Sequence, residues 1–267
     1  MNFAAVLEKI RDPYDRKARV APGLWVIFPL LVAAVGLLGP KHPVLTTLAS
    51  LLAACGGPYL LGSVVRAWGL TAEKKLYARW GGKPSTIILR HRDKTLGLHT
   101  KRDYHELISR KLGIPMPTAT AESADPELAD EAYRSATEQT IKLTRDIKKF
   151  PLLFKELIAY GFNRNMYGAR WVGTVVCIIT LGIVLLHARA WQLTPLQLMA
   201  SLNVGEQLTA GVSLVFLGLW LFHFTESTVK GVAYAYAQRL MECLPKISGP
   251  TRRGTPAASA SEPQSLA

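Results

Sequence analysis

Apolar positions in this chain fall in long blocks. Residues 23–39 read GLWVIFPLLVAAVGLLG and residues 44–65 read VLTTLASLLAACGGPYLLGSVV, with no charged side chain in either run. Two further blocks follow at 171–187 (WVGTVVCIITLGIVLLH) and 208–224 (LTAGVSLVFLGLWLFHF). A spanning helix takes about 20 apolar residues, with about 17 as the lower limit. The pattern therefore predicts four spans in two hairpins. Pro29 and Pro58 sit inside these runs, where neighbouring helices can satisfy the carbonyl that a proline frees. Residues 39–43 form a tight turn within the first hairpin. In the second, Thr194-Pro195-Leu196-Gln197 predicts a capping box that opens a short surface helix.

Between the hairpins the period changes to that of amphipathic helices. Thr100-Lys101-Arg102-Asp103 is a start signal, followed by Tyr104, Leu107, Ile108 and Leu112 on one face and Gly113 as a stop. Asp125-Pro126 opens a longer helix with Ala129, Ala132, Tyr133, Ala136, Thr140, Leu143 and Ile147 at helical spacing, broken by Pro151. The next helix carries Phe150, Leu153, Phe154, Leu157 and Ile158 on one face and is expected to end at Gly161. That face either packs on the domain or lies on the inner leaflet. Residues 70–80 extend the second span, and residues 232–244 the fourth.

Charge sets the orientation. The 267 residues are 49% hydrophobic yet carry a formal net charge of +13. Lys and Arg number five before the first span, one in each hairpin turn, twenty in 66–170 and five after the last span. By the positive-inside rule both termini and the middle segment lie in the cytoplasm. Trp25, Trp68 and Trp171 fall at inner ends of spans and Trp191 at an outer end, where amphipathic rings suit the headgroup layer. No small-residue cleavage site follows the first span, which is read as a retained anchor. Cys55 and Cys177 lie in spans and Cys243 near the cytoplasmic end, so neither a disulfide framework nor a zinc site is expected.

The expected fold is thus an all-α membrane protein, with four transmembrane helices in two hairpins and a helical cytoplasmic domain inserted between them. Residues 1–22 form a cytoplasmic N-terminal segment, 23–65 the first hairpin and 66–170 the domain. Residues 171–224 form the second hairpin, 225–247 a helical extension and 248–267 a disordered tail. A multi-pass protein of the bacterial inner membrane is the matching location.

Candidate chemistry is sparse. Gly81-Gly82-Lys83-Pro84-Ser85-Thr86 offers glycines, a lysine and hydroxyls to an anion, but the P-loop spacing is absent and Gly-Gly-x-Pro is common turn chemistry, so a turn is the favoured reading. His91, His99 and His105 do not have metal-ligand spacing. His223 and Glu226, three apart, are expected to share a helix face at the inner end of the fourth span. The carboxylates of 122–138 read as a solvated helix face, with no catalytic pair. No ionisable residue lies at mid-membrane depth, which argues against carriers and pumps. Thr174, Thr180, Thr209 and Ser213 remain candidates for the lining of an oligomeric pore.

The strongest cluster precedes the third span: Thr144-Arg145-Asp146, Tyr160-Gly161-Phe162-Asn163-Arg164-Asn165, and Arg170. Two readings stand. Arg145, Arg164, Asn165 and Arg170 bind a lipid phosphate or a phosphorylated ligand, or they form a structural network. Taken with Gly81 to Thr86, Leu89-Arg90 and Thr100 to His105, these residues resemble a group of uncharacterised bacterial four-span membrane proteins over roughly residues 80 to 170. No activity is assigned to that group, so the resemblance implies no catalytic residue. Four-span effectors of bacterial anti-phage systems are similar in architecture only.

The function expected is that of a non-enzymatic membrane effector or docking protein. Its basic helical domain would sense a ligand or partner, and its spans would respond. The alternative is a membrane enzyme acting on an anionic lipid or phosphorylated substrate. Expected partners are anionic inner-leaflet headgroups and a protein partner or second copy of the chain. No cofactor is expected. Nucleic acid is not expected either, because the positive-inside rule already accounts for the basic middle segment.

Overall fold

A computed structural model describes residues 12–38, 57–192 and 194–247. Among them every regular element is a helix. Helix α1 is Pro13–Leu37, α2 is Gly57–Trp80 and α3 is the short Pro84–Ile87. Helices α4 (Leu98–Leu112), α5 (Ala119–Ala124) and α6 (Pro126–Leu143) follow. The 37-residue α7 spans Pro151–His187. Then come α8 (Pro195–Ser201), α9 (Val204–His223) and α10 (Glu226–Met241). Three of these, α1, α7 and α9, are long and apolar enough to cross a membrane. The expected second span, the turn at 39–43, Cys55 and the tail lie wholly or largely outside the described residues.

Several predicted boundaries hold for stated reasons. Gly113 adopts a left-handed φ of 69° and closes α4. Asp125 accepts a hydrogen bond from the Leu128 amide at 3.0 Å and opens α6. The Thr194–Gln197 capping box forms, and a second one, Asn203–Glu206, starts α9.

Three expectations about helix ends are overturned. The helix opened by Asp125 stops at Leu143 rather than running to Pro151, which leaves Ile147 outside it. Gly161 does not end a helix, since α7 continues unbroken to His187. Its lack of a side chain serves packing instead: a Cβ there would lie 2.9 Å from the Tyr14 hydroxyl and 3.1 Å from Ala18 Cβ. The fourth span does not run on into its extension either. A π turn at Leu219–His223 is followed by Phe224 at ψ 69°, and Thr225 caps a new helix, α10.

Helix α7 is the hub, packing along its length on α1, α2, α9 and α10. The apolar core rises around it in tiers. Phe150 and Leu153 join the domain core with Ile88, Leu89, Ile108, Tyr133 and Leu240. Tyr160 packs with Leu76, Val229 and Ala233. Met166, Ala169 and Cys177 pack with Val26, Val65 and Trp220, and Val184 packs with Ala33 and Leu37. The apolar face at the start of α7 therefore meets a core shared with α4, α6 and α10, here termed the domain. Farther on, Trp171, Val175, Ile178, Ile179 and Leu186 remain exposed at helical spacing, the stripe a span presents to lipid.

Candidate functional site

Where the tiers of the bundle meet the domain, α2 and α7 cross at backbone contact. A Cβ on Gly168 would lie 2.5 Å from the Gly69 nitrogen, and one on Gly69 would lie 2.1 Å from Asn165 Oδ1. Beside this crossing Glu73 Oε1 accepts hydrogen bonds from Arg164 Nη1 at 3.2 Å and the Tyr77 hydroxyl at 3.0 Å. It also accepts one from the Tyr160 hydroxyl. Arg164 is 7% exposed, and its Nε and Nη2 each donate to Asn165 Oδ1 at 3.3 Å. Asn165 Nδ2 donates to the Ala18 carbonyl at 2.6 Å. In an α turn that carbonyl would accept from residue 22, but residue 22 is proline, which has no N–H to give, and Arg16–Val20 is wound as a π turn. A neighbouring side chain fills the vacancy.

All three guanidinium nitrogens of Arg164 thus have partners inside the chain. A buried guanidinium is tolerated only when paired and hydrogen-bonded, and this closed set meets that need. The structure does not bring the other members of the predicted cluster here. Arg145 is exposed on the turn after α6, next to Asp146, whose Oδ1 accepts from the Lys148 and Lys149 amides. Arg170 lies six residues further along α7, stacks on the Trp171 ring at 5.1 Å and donates from Nη2 to the Leu221 carbonyl at 3.2 Å. Leu221 sits in the π turn of α9, and the Thr225 amide that would normally reach its carbonyl bonds to His223 instead.

The glycine loop is a turn, as its chemistry suggested. Gly81 and Gly82 have φ of 78° and 141°, values that favour glycine. Ser85 and Thr86 are buried, and Lys83 precedes only the four-residue α3. Arg90 clamps the turn, donating to the Gly81 carbonyl at 2.8 Å and to both oxygens of Asp130 at 2.8 Å.

The following loop is held by side chains that sequence reasoning missed. Glu122, expected to be solvated, is 3% exposed. It accepts hydrogen bonds from the His91 amide at 2.6 Å, the Arg92 amide at 3.2 Å, Arg92 Nη1 at 3.1 Å and the Tyr133 hydroxyl at 2.7 Å. Burial pushes its carboxyl pKa up, but those four donors and the Arg92 charge outweigh it, so the net shift is downward. Lys101 donates to the Arg90 and Asp93 carbonyls, and its burial lowers the ammonium pKa. His105 Nε2 bonds the Leu89 carbonyl at 2.8 Å. One turn apart on α4, Lys101 and His105 satisfy the loop's carbonyls while Glu122 satisfies its amides. Glu127, Glu131 and Glu138 are exposed, as expected.

Other candidates resolve similarly. Thr174, Thr180, Thr209 and Ser213 are buried, each donating to the carbonyl four residues earlier, so within this chain they line no polar channel. His223 and Glu226 fall on either side of the helix break. Glu226 pairs with Arg79 and accepts from Trp80 Nε1 at 2.9 Å, while His223 packs on Phe224. At the far end of the bundle the buried Glu206 pairs with His187 at 2.6 Å. Among the described residues no group of three or more His, Cys, Asp and Glu could hold a metal ion. No protein-family model, no curated protein and no solved structure matches the chain.

Proposed function

We propose that this is a bacterial inner-membrane protein with four spans and both termini in the cytoplasm, acting without catalysis as an effector or docking protein. Its basic cytoplasmic helical domain receives a ligand or partner, and the spans respond. One observation carries the reading. The single helix α7 starts in the domain core at Leu153 and ends in the bundle core at Val184, with the buried Arg164 and Asn165 and the half-buried Glu73 at the crossing between them. A straight helix fixed at both ends transmits displacement, whereas a flexible linker dissipates it. The use of Glu122, Lys101 and His105 to satisfy backbone amides and carbonyls favours a structural over a reactive role for these buried groups. A role in anti-phage defence rests on architectural analogy alone.

The transmission is tested by hydrogen exchange on the full chain in lipid nanodiscs. Ile108→Ala loosens the domain core far from the membrane and removes a fully buried side chain. Exchange should rise in α6 and also around residues 160–168 and 219–226, at the crossing and the α9–α10 break. A rise confined to the domain would leave the two parts mechanically independent and defeat the effector reading.

The enzyme reading keeps one supporting observation. His91 and His105 line an open cavity of about 640 Å³ with Ser109 and Arg110. Each bonds a carbonyl through Nε2, which leaves the Nδ1 lone pair as the basic position of the neutral ring.

A further inference from the structure

A cleft of about 390 Å³ opens between α2 and α7 beside the glycine crossing, lined by Lys75, Arg79, Arg170, Trp68, Tyr167 and Trp171 among others. We propose that it binds the phosphate diester of an anionic phospholipid from the leaflet on the domain side. The inference rests on α7 crossing a membrane, not on the domain receiving a partner.

The cations converge because of helix direction. Side chains tilt toward the N-terminus of their helix. On antiparallel helices this carries Arg170 back toward the domain and Lys75 and Arg79 toward the membrane. Their charge is incompletely neutralised. Arg79 pairs with Glu226, but no carboxylate lies within ion-pair distance of Lys75 or Arg170 among the described residues. Arg170 is half-buried, with Nε enclosed and without a hydrogen-bond partner, so its charge is partly desolvated, and an anion at the edge of the guanidinium offsets that cost.

Depth and shape select a lipid over a free anion. Trp68, Tyr167 and Trp171 are the amphipathic rings typical of the headgroup layer. Past Trp171 the exposed surface turns apolar, with Val172, Val175 and Ile179 on α7 and Leu60 and Val64 on α2. A phosphate in the cleft would have its acyl chains directed along that surface. Basic pockets between spanning helices bind anionic headgroups in this way.

The test uses the full chain in nanodiscs, with brominated phosphatidylglycerol or brominated phosphatidylcholine as a minor guest in a phosphatidylcholine host. The signal is tryptophan quenching, with Trp171→Phe subtracted to isolate Trp171. The glycerol lipid should quench Trp171 more strongly at equal mole fraction. Lys75→Gln, a change at an exposed side chain, should lower that preference by roughly fivefold, the factor expected for one interfacial cation, and Lys75→Arg should restore it. Inorganic phosphate at matched ionic strength should leave it unchanged. Equal quenching by the two lipids, or an unaltered preference in Lys75→Gln, would overturn the proposal. Competition by inorganic phosphate would do so too, by assigning the cleft to a free anion. None of these outcomes bears on the exchange experiment above.

Discussion

Glu122 shows how far a residue's role can lie from its appearance in sequence. It stands in an acidic, Ala-rich stretch that reads as solvent-facing, yet its partners are two backbone amides about thirty positions away. Backbone donors have no residue signature, so no spacing rule could pair them with it. Arg164 and Asn165 were legible as polar residues crowded before an apolar run, but Glu73 was not legible as their partner, and Arg145 looked equivalent while lying on a solvated turn. Truncating Glu122 to Ala leaves buried donors unpaired and should cost about 2 to 3 kcal/mol, read as a lowered unfolding temperature. The pH dependence follows from two signs. Glu122 is shifted below its ordinary 4.5, so its contribution is full above that value and is lost as pH falls through the folded pKa. His105 is shifted below 6.5, chiefly by burial and against the raising effect of the Leu89 carbonyl. The unfolded chain therefore takes up the proton first, and stability begins to fall as pH drops past 6.5. Wild-type stability should decline in both windows, and Glu122→Gln should flatten the lower one alone. An unchanged acid limb in Glu122→Gln would refute the assignment.

At the scale of elements, three of the four expected spans were legible because charge-free runs leave little else for the chain to do. The Asp125 and Thr194 caps and the Gly113 stop were legible because cap chemistry is local, whereas α4 starts at Leu98, ahead of the expected signal at Thr100. Errors arose where tertiary contact reverses a local rule. A glycine in a helical pattern suggests a stop, but Gly161 instead admits the neighbouring helix, as Gly168 does further along α7. A proline suggests a kink, but Pro22 also frees the Ala18 carbonyl that Asn165 occupies. This last link can be measured as a coupling. Asn165→Ala should lower stability by about 1 to 3 kcal/mol, since it strands that carbonyl and two donors of Arg164. In a Pro22→Ala background residue 22 regains an N–H, and the same substitution should cost less, by roughly 1 kcal/mol. Thermal unfolding of the four proteins in one detergent checks it. Strict additivity would mean that the proline and the asparagine are unconnected.

For the whole molecule, the tiers of apolar contact along α7 make the packed helices at its start and the bundle at its end parts of one column, and the orientation of that column across a membrane is part of the proposal. The sequence pattern implied an all-helical chain with long apolar helices, but not that one helix would join the two cores, because the glycine at 161 concealed the continuity. Transmission from domain to spans, and a headgroup cleft at the boundary, both require α7 to carry the chain across. Single cysteines decide this. In a chain with Cys55, Cys177 and Cys243 replaced, one cysteine is placed at the exposed Ser135 of α6 and another, separately, at the exposed Gln192 beyond α7. A membrane-impermeant maleimide is then applied to right-side-out and inverted vesicles. Position 135 should label only in inverted vesicles and position 192 only in right-side-out ones. Labelling of both from the same side would contradict the crossing of α7, and with it the account of what the domain and the spans do together.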